Sequence, residues 1–194
     1  PAEAVAYFRA RLADQTVVRP REDLFGLALA MRRAREFDSA WKTLEPLRSA
    51  GGGHPAFELL AAQLLADQGR ADASLDVYRA ALRAHPRHRS LVYGYLNLLL
   101  DKGLTREALA DLEERLRSVQ DDAMLWEIQA RAFAASGQRI AQHRAQAEAY
   151  YRRGNLKAAV DQLEIAVRDK RGSDFYQISS AESRLRELRA LLDN

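Results

Sequence analysis

Three glycines, Gly69, Gly103 and Gly137, stand 34 residues apart. Ala28, Ala62, Leu96 and Ala130 repeat at the same 34-residue interval, the last three lying seven positions before a glycine. A third column, Ala40, Ser74 and Ala108, shares that interval. A unit of this length is one pair of helices with its turns, and such a unit cannot bury its apolar face alone, so successive units must stack. Each column has a physical reading. Small residues mark where one helix crosses another closely, and the glycine supplies the left-handed backbone that ends a helix. The expected fold is all-α, a solenoid of helix–turn–helix units, and its product is a broad surface instead of a catalytic cleft.

A 34-residue helix pair of this kind resembles the tetratricopeptide (TPR) repeat, whose first helix carries W-x2-L-G-x2-Y columns and whose second carries A-x3-F, with Pro beyond it. The reading gives a single domain over 1–194, with about four to five repeats. A truncated N-terminal helix covers 1–14, and repeats cover about 21–54, 55–88, 89–122, 123–153 and 140–170. In the second repeat Pro55 opens a helix carrying Ala62, Leu65 and Gly69, and Ser74, Tyr78 and Ala81 follow on its partner before Pro86. The first repeat has Arg35 in its glycine column, a departure expected to cost about 1 kcal/mol if the backbone there is left-handed. Ala147 follows Ala130 by only 17 residues, so a helix over 139–153 should serve both the fourth and the fifth repeat. Val5, Phe8 and Leu12 follow helical spacing at the N-terminus, and the loss of a preceding helix should leave Tyr7 and Phe8 partly exposed. Ser179 and Glu182 form a capping box that opens a terminal cap helix over 179–193, after a connector in which Phe175 and Tyr176 tuck back against the last pair.

The composition narrows the function. Hydrophobic residues make up 47% and charged residues 29%, a balance suited to a folded helical chain. The 30 basic and 27 acidic residues leave a net charge of +3, and arginines alternate with acids along helix faces, as at Arg184, Arg186, Glu187 and Arg189. With no basic stripe interleaved with aromatics, nucleic acid is not an expected partner. No apolar run reaches the roughly 20 residues of a membrane span. There is no cysteine, hence no disulfide framework or thiolate chemistry. No HExxH, Walker loop, GxSxG or dinucleotide-binding glycine run occurs. His85 and His88 have a metal-like spacing but lie on an inter-repeat turn and read as exposed turn residues, and His143 reads as a surface or packing residue. No cofactor is expected in these residues and no catalytic residue is assigned. The chain begins at Pro1 without Met, which reads as a piece of a longer product.

A protein-binding groove is expected along the outward positions of the first helix of each pair. Its candidates are Phe25, Arg32, Gln63, Tyr93, Asn97, Glu127, Arg131, Arg144 and Tyr151, with Asp67, Glu148 and Arg152 beside them. The mixture of amide, aromatic and arginine matches the residue types enriched in protein interfaces. Tyr93 and Asn97, one helical turn apart, are the leading pair. Trp126 falls in the repeat's tryptophan column and reads as a packing residue.

The words of the last third narrow the family further. The run from Ala147 to Ala166, with Tyr150, Gly154, Ala159 and Leu163, then Gly172 to Gln177 and Arg184 to Leu188, resembles the C-terminal TPR domain of BepA/YfgC-type periplasmic zinc metalloproteases. The opening Ala4 to Leu12 is similar to the helix that enters the repeats in that family. The resemblance implies a module that recruits or positions outer-membrane proteins, or their assembly machinery, for its own protease domain. It also implies a periplasmic location, with the zinc and its HExxH helix on a part absent from this chain. The isolated chain is expected to be a monomer, or a dimer through its exposed truncated end. A general TPR scaffold or co-chaperone in secretion or pilus assembly, with no protease attached, is the alternative.

Overall fold

The computed structural model describes residues 2–14, 20–50, 52–168 and 175–192. Those residues form helices α1 (Ala2–Ala13), α2 (Pro20–Arg33), α3 (Phe37–Ala50), α4 (Pro55–Asp67), α5 (Ala71–Ala84) and α6 (Arg89–Asp101). They continue with α7 (Thr105–Ser118), α8 (Ala123–Ala135), α9 (Arg139–Arg152), α10 (Leu156–Arg168) and α11 (Phe175–Leu192). No strand occurs among the described residues. The chain divides into two compact units, 1–98 and 99–194, with the boundary inside α6.

The glycine column does what its spacing implies. Gly69, Gly103, Gly137 and Gly154 have φ of 77°, 72°, 72° and 78°, and Arg35 shares that left-handed state at 63°. Each turn closes with the same long-reach bond. Glu36 N–H donates to Met31 O (2.9 Å), Arg70 to Leu65 (2.8 Å), Leu104 to Leu99 (2.8 Å), Gln138 to Phe133 (2.9 Å) and Asn155 to Tyr150 (3.0 Å). This six-to-one bond is the Schellman closure, which satisfies a helix-end carbonyl and requires a left-handed residue just before its donor. A Cβ built on any of the four glycines meets nothing within 4 Å, so backbone conformation and not space selects the residue.

In the first unit α1 packs on α2, α2 on α3, α3 on α4 and α4 on α5. Ala28, Ala40 and Ala62 are fully buried, as the small-residue columns require. Ser74, in the same column as Ala40, uses its hydroxyl to donate to Ala62 O at 2.6 Å, a buried link between α4 and α5. Two glycines inside helices fill a different role. A Cβ on Gly26 would lie 2.4 Å from the Phe8 ring, and one on Gly94 would lie 2.4 Å from Tyr78 Oη. Phe8 and Tyr78 therefore seat directly on backbone. As expected of a first helix, α1 leaves Tyr7 55% exposed, while Val5 is buried and Phe8 and Leu12 pack against the core. It is also tied to α2, because Arg11 Nε and Nη2 donate to Asp23 Oδ1 (2.9 Å) and Oδ2 (3.1 Å). Between α3 and α4, the imidazole of His54 accepts from Ala56 N–H (3.3 Å) and His85 Nε2–H donates to Gly53 O (2.9 Å). His85 is thus half-buried and committed to the turn, where sequence alone read it as exposed.

In the second unit α7 packs on α8, α8 on α9, α9 on α10, and α10 on α11. Asp122 caps α8 by accepting from Met124 N–H (3.1 Å) and Leu125 N–H (3.3 Å), which satisfies two donors that have no partner within the helix. Both faces of α9 are apolar, and Ile140, Ala141, Ala145, Ala147 and Ala149 are buried along it. The last helix corrects the expected boundaries. It begins at Phe175, so Ser179 lies inside the second turn and caps nothing. Ile178 explains the extension: with Ala181, Leu185 and Leu188 it forms a helical stripe that joins the core of Ala147, Ala159 and Leu163. Phe175 and Tyr176 are not tucked back; they are 85% and 75% exposed. The expected connector residues 170–174 lie outside the described residues.

Candidate functional site

The candidate residues of the first unit fall into separate groups. Arg32, at the end of α2, donates through Nη1 to Gln63 Oε1 (2.7 Å) and through Nε to Asp67 Oδ2 (2.6 Å), which bridges α2 to α4. These side chains satisfy one another, and at about a third exposed the ion pair contributes on the order of 1 kcal/mol or less. The Tyr78 phenol is buried nearby, and its pKa is pushed up to about 12, by burial first, with Asp67 adding and Arg32 opposing. Phe25 lines a different recess, a pocket of about 500 Å³ with Arg21, Ala50 and His54. There Phe25 and Phe57 rings lie 5.4 Å apart, and His54 is 4.9 Å from Phe57. Tyr93 and Asn97 are half-buried on α6.

The second unit gathers its polar groups more closely. Glu148 on α9 accepts from Arg184 Nε (2.7 Å) and Nη2 (3.2 Å) on α11, and also from Arg152 one turn along. Arg184 Nη1 donates in addition to Glu187 (2.8 Å). Aromatic faces cover the same guanidinium groups. Arg152 lies 4.9 Å from the centre of the Trp126 ring and 5.8 Å from that of Tyr151, and Arg184 lies 4.9 Å from Tyr151. Each such cation–π contact contributes about 0.5–2 kcal/mol, more where water is excluded. Burial works against the charge of Arg184, yet its bonds to Glu148 and Glu187 outweigh burial and hold its pKa above the ordinary value. Arg144 is the contrast. Its single hydrogen bond among the described residues is a long one, Nη1 to Gln177 Oε1 at 3.4 Å, and burial lowers its pKa despite the field of Glu148.

Around these groups lies a pocket of about 410 Å³. Trp126, Gln129 and Phe133 of α8 form one wall, and Arg144, Ala145 and Glu148 of α9 a second. Gln177, Ser180, Ser183, Arg184 and Glu187 of α11 form the third. An adjoining recess of about 500 Å³ shares Trp126, Gln129, Glu148 and Arg184 and adds Arg117, Gln120 and Arg152. Of the sequence candidates, Arg144 lines the first pocket, and Tyr151 carries the Arg184 stack. Glu127 instead pairs with Arg153, and Arg131 stands exposed 4.0 Å from Asp101. Trp126 is more than a packing residue: it is half-buried on both pocket walls, with its indole N–H donating to Gln120 O at 2.8 Å. The α11 wall was missed altogether. Its signal was present, since Gln177, Ser180, Arg184 and Glu187 fall at spacings of three and four, one polar stripe beside the apolar one. Among the described residues no group of three His, Asp or Glu side chains is placed to hold a metal, and no helix is long and apolar enough to cross a membrane.

Comparison with known proteins agrees with this architecture. The family described as Tetratricopeptide repeat matches residues 22–167. The Beta-barrel assembly-enhancing protease of Escherichia coli (strain K12) is 31% identical over 181 residues, which is 92% of this chain and 36% of that protein. The chain thus spans about a third of the length of this relative. A tetratricopeptide repeat protein from Parabacteroides merdae ATCC 43184 superposes with a TM-score of 0.61 at 14% identity, covering 97% of this chain and 80% of that one. MamA from Desulfovibrio magneticus RS-1 does so at 0.59 and 18%, covering 90% and 97%. With its 34-residue period, its repeated Schellman turns and a family match across most of its helices, this chain belongs to the tetratricopeptide repeat family.

Proposed function

We propose that this chain is a non-catalytic recruiting module that positions substrate or partner proteins for a periplasmic zinc metalloprotease in outer-membrane protein assembly and quality control. Tetratricopeptide repeats are protein-interaction scaffolds, and stacked helix pairs offer side chains along a surface without building a reaction centre. The observation that carries the narrower reading is the 31% identity to the Beta-barrel assembly-enhancing protease across 92% of this chain. These 194 residues hold no HExxH, so zinc ligands and a catalytic glutamate belong to another part of such a protein, and no catalytic step is assigned here. Tyr93 and Asn97 on α6 are the proposed partner contacts of the first unit, and Arg144 and Tyr151 on α9 those of the second.

Photocrosslinking tests this in the native cell, with a crosslinking amino acid placed at Tyr93 or Tyr151 of the full gene product. Adducts with outer-membrane β-barrel proteins or their assembly machinery are expected. Adducts confined to secretion or pilus components would replace this reading with the general scaffold. Changing Tyr93 and Asn97 together to Ala should weaken capture while helicity and melting stay the same, and undiminished capture removes α6 from the interface.

A further inference from the structure

The residue before α4, α6 and α8 recurs every 34 positions, as His54, His88 and Asp122. In each, the backbone carbonyl accepts from N–H groups three and four residues on: Phe57 and Glu58 for His54, Leu91 and Val92 for His88, Leu125 and Trp126 for Asp122. The side chains differ. Asp122 accepts from Met124 and Leu125 N–H, and a carboxylate keeps its acceptors across the range in which imidazole titrates. His88 Nδ1 is buried and meets no hydrogen-bond partner among the described residues. His54 Nδ1 accepts from Ala56 N–H at 3.3 Å, and because Pro55 has no N–H, Ala56 carries the first donor of α4. A ring nitrogen that accepts carries no proton, so this cap exists only on neutral imidazole. His85 is the opposite case. Its Nε2 faces Gly53 O at 2.9 Å and must donate, which neutral and charged rings both do.

We propose that His54 is an acid-released cap: protonation at Nδ1 frees the Ala56 N–H, frays the first turn of α4 and lifts the ring off Phe57, which opens the Phe25–Phe57 recess. Two effects act together against the charged ring, the loss of its acceptor and the repulsion of a cation by the positive end of α4. A cation–π contact with Phe57, whose ring centre is 4.9 Å away, opposes them, but such a contact is weak where the cation is exposed, as His54 is. The neighbouring charges do not reverse the balance. From α2, Arg21 and Glu22 reach the recess, one of each sign. Glu58, one turn into α4, is held by Arg48 of α3 at 3.1 and 2.8 Å, and the α5–α6 turn brings His85. The unfolded chain has no cap to lose, so the stability this turn contributes is present above the histidine range and falls as pH drops through it. The inference stands apart from the recruiting reading and does not need it.

The test is a nuclear magnetic resonance titration of the full chain from about pH 8 to about pH 5, the span in which histidine changes charge. The Ala56 amide proton should move upfield with the same midpoint as the His54 ring, while the Met124 amide, capped by Asp122, stays in place. His54→Asn, a cap that does not titrate, should abolish the Ala56 step, and His85→Gln should keep it. Stability gives a second readout. In a Trp126→Phe background Trp41 reports the first unit, and acidification should raise the unfolding equilibrium constant about fivefold more with His54 in place than in His54→Asn, the strength of one cap. Any share from His88 is common to both proteins and cancels. An Ala56 amide that stays put while the His54 ring titrates, or an equal acid loss in His54→Asn, would overturn the proposal. Loss of the Ala56 step in His85→Gln alone would move the device to the Gly53 contact and remove it from His54.

Discussion

Arg35 occupies the position that glycine holds in the later turns, and it adopts the same backbone, φ 63° against 72–78°. Its turn closes with the same bond, Glu36 N–H to Met31 O at 2.9 Å. An L-residue in the left-handed region is disfavoured by about 1–2 kcal/mol. Replacing Arg35 with Gly removes that strain but loosens the unfolded chain, which offsets about 0.4–1 kcal/mol. The net expectation is a gain of roughly 0.5–1 kcal/mol for Arg35→Gly. Gly69→Ala provides the mirror experiment in the same unit. The added Cβ meets nothing within 4 Å, so only the 77° φ opposes it, and the loss should match the gain at Arg35 in size. Urea unfolding followed by fluorescence isolates the relevant unit, since Trp41 lies in the first and Trp126 in the second. In a Trp126→Phe background, Trp41 alone reports the 1–98 unit. The midpoint should rise with Arg35→Gly and fall with Gly69→Ala at constant slope. A fall for Arg35→Gly, or an unchanged midpoint for Gly69→Ala, would mean that contacts and not backbone conformation set this column.

Two further perturbations address packing and ionisation. Ala130→Leu places extra volume at a site 2% exposed on α8 and should destabilise by about 1–3 kcal/mol; an unchanged melting temperature would show that nothing crosses there. Tyr78 is protonated in the folded state up to about pH 12, while its unfolded counterpart titrates near 10. Its contribution is therefore fully present below pH 10 and falls by roughly 2–3 kcal/mol as pH rises toward 12, because ionisation then favours the unfolded chain. Tyr78→Phe should flatten that part of the stability profile, and an equally steep alkaline loss in the variant would assign it elsewhere.

The helix pairs were legible because their constraints are local and repeat. A left-handed residue every 34 positions and a small residue at each crossing leave marks in residue type. Even Arg35 was readable as a position under strain. What stayed hidden depended on single encounters. Nothing in the local words marks Gly26 or Gly94 as seats for Phe8 and Tyr78, since a glycine inside a helix reads only as a weak helix former. The start of α11 was misplaced because Ser179 and Glu182 satisfy the capping pattern, while packing of the partly buried Ile178 against the core goes with a helix that starts one turn further back. Trp126 was assigned to packing by its column, yet a ring can pack along one edge and offer its face to Arg152.

The difference between the two units bears on how recognition is built into such an array. In the first unit Arg32, Gln63 and Asp67 close on one another, and a partner there must break bonds of 2.6–2.7 Å to use them. In the second, Arg184 from α11 and Arg152 from α9 share the Glu148 carboxylate, and Arg144 reaches Gln177 instead. If Arg184 were lost, Glu148 Oε1 would be freed while Arg152 kept its hold on Oε2. The periodic columns allow this freedom, since neither Arg144 nor Arg184 lies in a column that fixes a crossing or a turn. Side chains on α11 and at the exposed positions of α9 can therefore vary while the 34-residue frame, and the stability it confers, stays as it is.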